Sequence, residues 1–192
     1  MENTGHLFEW QFIGEIDVKS HKYQKELKKL QEEAAKETKN NFIPFEKSME
    51  LAKKFQPFDP THPNKPFARD IRISLLDLMI NKGLIAENEK DQDRVKFYTA
   101  VKTPLDIFHD IDAFIEFQDS DNKKYLITFD LTLNPNKLGY KSDIVVADLP
   151  DPNLDEDKIR YLAAIEQYAQ KVLGCIEIKK AHEENKKNYP RN

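Results

Sequence analysis

The stretch from Phe108 to Lys141, FHDIDAFIEFQDSDNKKYLITFDLTLNPNKLGYK, constrains the fold more than any other part of the chain. Two runs alternate apolar and polar residues with a period of two, DAFIEF from Asp112 and KYLITFDLTL from Lys124, and the turn formers Asp119, Ser120, Asp121 and Asn122 separate them. An antiparallel hairpin is expected. Setting Gln118 opposite Lys124 brings Ala113 to Phe129, Ile115 to Ile127 and Phe117 to Tyr125, so that one face is wholly apolar. The other face then sets Asp112 against Asp130, and a slip of one residue would turn the apolar set of one strand away from that of the other. Like charges directly opposed destabilise a sheet. The pairing therefore asks for a cation between the carboxylates, a nearby lysine, or a proton retained by one acid whose pKa the other raises. The plain alternative is a twist or bulge that splays both acids into water.

At 192 residues the chain is long enough for one domain with a full core and a helical extension. A third of the residues are charged and no window approaches the roughly 18 consecutive apolar residues that span a bilayer, so a soluble protein without a membrane partner is expected. The first residues, MENTGHLFEWQF, combine neither a basic leader nor an apolar core, which sets the cytoplasm as the expected location. Cys175 is the single cysteine and reads as a small buried hydrophobe. The net charge of −4 gives no global basic field for nucleic acid, so any such binding needs a local patch.

Along the chain, Phe8, Trp10, Phe12 and Ile13 fit either a short strand or a docked arm. From about Val18 to Thr38 a Lys- and Glu-dense run without Gly or Pro predicts a helix. Its thin stripe of Tyr23, Leu27, Leu30 and Ala34 packs either on the domain or on a second copy, as a homodimer. A short helix is expected from Pro44 to Phe55, and a Pro-rich loop carrying His62 follows. Pro66 opens and Gly83 closes a helix whose Ile71, Ile73, Leu75, Leu76, Leu78, Met79 and Ile80 predict burial on several sides. RVKFYTAV from Arg94 reads as a strand ahead of the hairpin, and DIVVAD after it as a buried or edge strand. Asn153 with Glu156 three residues on suggests a capping box opening a helix with Ile159, Leu162, Ile165, Tyr168, Ala169, Val172 and Leu173 on one face. Gly174 is expected to stop or kink it, CIEI to form a final strand, and the polar tail to fray. The resulting expectation is an α/β fold, a mixed sheet flanked by helices, with an N-terminal helical extension over 1–60, a core over 61–180 and a tail over 181–192.

From Pro66 to Ile178 this pattern resembles the PD-(D/E)XK nuclease superfamily, whose restriction-endonuclease-like core is a helix, a three-strand meander, a helix and a further strand. Asp112 in HDIDAFIEF and Asp130 in TFDLT stand where that family carries its two acids. The resemblance implies that Asp112, Asp130 and the carbonyl of Leu131 hold Mg²⁺ or Mn²⁺, which activates a water and polarises a phosphodiester of DNA or RNA. The departure is Thr132 in place of the motif lysine, since a hydroxyl supplies no positive charge. Some members, notably the mismatch-repair endonuclease branch, tolerate threonine there and use a nearby histidine. His109, three residues before Asp112, is then either a proton shuttle or a strand cap, while Lys137 and Lys141 are the candidate replacements for the ammonium. Two functions are in competition: a metal-dependent nuclease, and a catalytically inactive nuclease-like domain that binds or regulates.

Overall fold

The computed structural model describes residues 4–37, 42–133, 141–147 and 149–188. Its elements run α1 (Thr4–Ile13), α2 (His21–Glu37), α3 (Phe45–Lys54), α4 (Pro66–Asn81), α5 (Glu89–Gln92), β1 (Val95–Thr99), α6 (Pro104–His109), β2 (Ala113–Gln118), β3 (Lys124–Thr132), β4 (Ile144–Ala147) and α7 (Lys158–Asn188). The strands form one mixed sheet in the order β1-β2-β3-β4, antiparallel up to β3 and parallel between β3 and β4. A mixed sheet with flanking helices is thus the architecture that the alternation of patterns predicted.

The hairpin register agrees residue for residue: Ala113 pairs with Phe129, Ile115 with Ile127, Phe117 with Tyr125 and Gln118 with Lys124. At the turn, Asp119 accepts from the Asp121 and Lys123 amides and from the Tyr125 hydroxyl, which holds the chain reversal in place. The odd-numbered side chains of both strands enter one core with Phe8, Phe12 and Ile13 of α1, Phe67, Ile71, Leu75 and Met79 of α4, and Tyr161, Ile165, Ala169 and Val172 of α7.

The opposite face of the sheet is covered as well. Phe114 and Tyr98 stack at 4.9 Å and pack with Tyr23 of α2, Leu51 and Ala52 of α3 and Leu105 of α6 in a second core. Glu116 lies in this layer, buried, between Lys53 of α3 and Lys124 of β3. Two cores on two faces make a three-layer arrangement, helices on a sheet on helices. The seam of α2 is used within the chain, where Tyr23 and Ala34 are buried.

β1 is an edge strand whose outer side is occupied. The Phe97 amide donates to the Pro60 carbonyl, and the Gln56 side chain both accepts from the Thr99 amide and donates to the Thr99 carbonyl. Arg72, buried on α4, donates to the carbonyls of Val95 and Gln92. On the other side, Asp143 accepts from the amide and hydroxyl of Thr128 and from Lys179, which seats β4 beside β3.

Several expectations are corrected. The first segment is neither strand nor arm: Phe8 and Phe12, an i,i+4 pair with ring centroids 4.8 Å apart, dock α1 as a helix. A further helix, α6, follows β1: Thr103 caps it, its hydroxyl accepting from the Leu105 amide, with Pro104 in the first turn. Ile73 is 49% exposed, so α4 leaves one side to solvent. The capping box does not form; Asn153 bonds Asp151 in a turn and α7 begins at Lys158. Ile159 and Leu162 face solvent, and Tyr161 and Ile165 turn inward instead. Neither Gly174 nor CIEI ends that helix, because Val172, Leu173 and Ile176 are buried along one continuous helical stripe. The expected final strand is therefore helix, the strand expected in DIVVAD forms as β4 and is the last of the sheet, and the polar tail from Lys179 stays helical to Asn188.

Candidate metal centre

Asp112 stands between α6 and β2, one residue before the strand begins. α6 ends with Asp110 in the left-handed conformation at φ 55°, and the reversal delivers Ile111 to the second core and Asp112 to the start of the sheet. The backbone there departs from a regular ladder. The Asp112 carbonyl accepts from the Ala100 amide as β1 requires, but its own amide donates to the Phe129 carbonyl. The carboxylate takes the next partner, Oδ2 accepting from the Leu131 amide at 2.6 Å. Asp112 is thus tied to β3 on both sides of Asp130.

Both acids are buried, Asp112 at 6% and Asp130 at 2% exposure, which excludes the alternative of two carboxylates splayed into water. Burial is the main reason that the Asp112 carboxyl is pushed up to about 8, followed by the negative charges of Glu9 and Asp106 and by that of Asp130. The Leu131 amide works in the opposite direction but does not outweigh them. At neutral pH without a cation, Asp112 holds a proton for most of the time.

The remaining sequence candidates divide. Leu131 and Thr132 follow Asp130 along β3, opposite Val146 and Ala147 of β4. Thr132 is half-buried at the strand end. Lys141 pairs with Asp110 at 2.9 Å, two residues before Asp112. His109 sits on α6 with its Nε2 bonded to the Ile43 carbonyl at 3.0 Å and its ring against Phe42 and Phe45. That hydrogen bond fixes Nε2 as the protonated nitrogen. Lys137 lies outside the described residues.

Two acids near Asp112 escaped the sequence reading. Glu9 arrives on α1, and no local signal placed that helix against the hairpin. Asp106 arrives on α6, where its carboxylate accepts from the Lys102 amide at 2.8 Å. The signal for Asp106 was present in the Thr-Pro pair that opens α6, with an acid in the first turn.

Among the described residues, no group of three or more His, Cys, Asp or Glu side chains is arranged to hold a metal ion. The candidate donors are hard oxygens: the buried carboxylates of Asp112 and Asp130, and the backbone carbonyl of Leu131, which follows Asp130 on β3. This set suits a cation that keeps most of its waters and takes only one or two protein carboxylates, as Mg²⁺ does. Compared with protein-family models, with curated proteins and with solved structures, the chain gives no match.

Proposed function

We propose that the chain is a metal-dependent nuclease that hydrolyses phosphodiester bonds of DNA or RNA, with Asp112 and Asp130 as ligand carboxylates and the Leu131 carbonyl as a third protein oxygen. One observation carries the reading: two carboxylates are buried at this end of the hairpin, and the charge of Asp130 adds to the burial that raises the Asp112 carboxyl. A divalent cation held by these residues would supply a lowered pKa for an attacking water and polarisation of the phosphodiester. The residues of the chain do the rest. Asp112 would have to give up its proton to serve as a ligand, so binding should strengthen as pH rises toward 8. The Leu131 amide fixes one oxygen of Asp112 and with it the direction of the carboxylate. Thr132 would offer a hydroxyl to orient water at the position where the resembled family carries lysine, and Lys141, which pairs with Asp110, would supply positive charge.

Nucleic acid as a partner rests on this reading. Among the described residues no helix is long and apolar enough to cross a membrane. A homodimer through α2 would have to use its charged outer face, since Tyr23 and Ala34 are turned inward.

A second reading has its own support. Thr132 brings no charge and Lys141 is drawn to Asp110, the pattern of a nuclease-like domain that binds or regulates without hydrolysis. Calorimetric titration of Mn²⁺ into the native protein and into Asp130→Asn, followed by incubation of both with labelled single- and double-stranded DNA and RNA, separates the readings. The nuclease predicts binding that vanishes in the variant, and metal-dependent cleavage by the native chain alone. Binding without cleavage selects the second reading. No binding to a folded native protein removes the metal centre.

A further inference from the structure

Strand β3 is longer than the neighbour on its outer side. β4 pairs only with residues 129–132, so residues 124–128 face β2 on one side and no described strand on the other. Across the turn the Asp119 amide donates to the Lys123 carbonyl, which makes the odd-numbered residues of β3 those that bond β2 and points the N–H and C=O of Lys124 and Leu126 away from it. Two side chains agree with that direction: the Lys179 ammonium donates to the Leu126 carbonyl at 2.7 Å, and Asp143 accepts from the Thr128 amide at 2.9 Å. The Leu126 amide and both backbone groups of Lys124 have no such partner among the described residues.

A groove of about 450 Å³ lies at this edge, with residues 123–126 as one wall and Lys179, His182 and Glu183 of α7 as the other. Lys179 reaches from its wall to the Leu126 carbonyl, and the amide of a strand residue points to the same side as its carbonyl. The unused backbone groups therefore open toward the groove. The Tyr125 hydroxyl is committed to Asp119, which leaves the lysines to set the charge. Three lysines stand against Glu183 alone. Lys123 is held loosely, 4.0 Å from that glutamate, while Glu116 and Asp143, the acids that meet Lys124 and Lys179, lie outside the groove walls.

We propose that this groove takes an extended acidic segment of a partner protein, which adds to the sheet beside β3. The backbone of the segment accepts from the Leu126 amide and exchanges bonds with Lys124, and its carboxylates meet Lys123 and Lys124, with His182 as a further donor. Lys179 stays on the Leu126 carbonyl and marks the end of the added strand. The opposite edge of the sheet offers no second place, since Pro60 and Gln56 already take the Phe97 amide and both groups of Thr99. The site needs neither the acid pair nor a metal.

The probe is a short end-blocked peptide of alternating glutamate and valine, titrated into the full chain with a chelator present while the amide resonances of Lys124 and Leu126 are followed. The expected result is saturable displacement of both resonances by millimolar peptide, with hydrogen exchange of the Leu126 amide slowed in the bound state. The same peptide with lysine in place of glutamate, and the glutamate peptide on a folded Lys123→Glu variant, should each bind about ten-fold weaker or less. The proposal is overturned if neither amide responds, if the two peptides bind equally, or if the resonances move without protection of the Leu126 amide, which would mean attraction to surface charge and no added strand. It is also overturned if oligothymidylate saturates the same amides more tightly than the glutamate peptide, which would make the groove a nucleic-acid surface.

Discussion

Replacing Asp112 by asparagine should make the metal-free protein more stable, and increasingly so as the pH rises. The amide side chain would keep an oxygen to accept from the Leu131 amide and would remove the ionisation that the site resists. The sign follows from the folded carboxyl titrating at about 8 against an ordinary value of 3.8, so that between these limits the folded state binds more protons than the unfolded one. Stability of the native chain therefore falls with rising pH through this window, by up to about 1.4 kcal/mol per pH unit. Below pH 4 the penalty is absent, and above pH 8 it is complete. Between pH 5 and pH 8 the difference between Asp112→Asn and the native chain should widen by about 3–4 kcal/mol. The other groups of the two proteins titrate alike and cancel in this difference, except for Glu9, Asp106 and Asp130, which lose a charged neighbour. Urea unfolding at pH 5, 6, 7 and 8 in the presence of a chelator measures it, provided that the denaturant slope is the same for both. Parallel pH profiles would refute the reasoning, and so would a native chain that gains on the variant as pH rises.

Three further outcomes are expected, in other parts of the molecule. Burial pushes the Glu116 carboxyl up, but the hydrogen bonds and charges of Lys53 and Lys124 outweigh it and hold the group below its ordinary value, so its contribution is present at neutral pH and lost as pH falls. Lys53→Met should accordingly cost about 2–4 kcal/mol at pH 7, since only Lys124 at 3.2 Å remains, and the cost should shrink toward pH 3; an equal cost at both pH values in urea unfolding would contradict this. Gly14 ends α1 at φ +76°, where a Cβ would meet Lys65 Cγ at 3.3 Å, so Gly14→Ala should lose about 1–2 kcal/mol. Because Lys65 holds its ammonium 4.3 Å from the ring centre of the single tryptophan, Trp10, the same variant should change the tryptophan emission, and an unaltered spectrum with an unaltered melting temperature would show that the contact is not made.

What could be read from the sequence was whatever one periodic pattern decides. The pairing of Ala113 with Phe129 through Gln118 with Lys124 follows from two alternating runs and a turn, because a slip by one residue would turn the apolar side chains of one strand away from those of the other. The second core was harder to see, since Phe114 and Leu126 share their face with Glu116 and Thr128 and the face reads as polar until Lys53 is known to reach Glu116. Local signals misled where tertiary burial overruled them. Gly174 and the β-branched residues after it resemble a stop and a strand, yet Ile176 completes the buried stripe that begins at Tyr161. The aromatic residues of α1 fit a period of two as well as a spacing of four, and only the core they enter decides. The burial of Asp112 and Asp130 at one end of the hairpin was within reach of the register argument, whereas Glu9 and Asp106 were not, because both lie on helices whose docking no short motif encodes.

The side chain of Gln56 gives and receives at Thr99 as the backbone of a neighbouring strand would. With the Pro60 carbonyl taking the Phe97 amide, the flank of β1 presents a finished boundary rather than a template. An extended segment from another molecule would have to displace both before it could add to the sheet there. Resistance to templated assembly on this side thus rests on the Pro60 carbonyl and one glutamine, and Gln56→Ala would leave a donor and an acceptor of Thr99 open to the first strand that arrives.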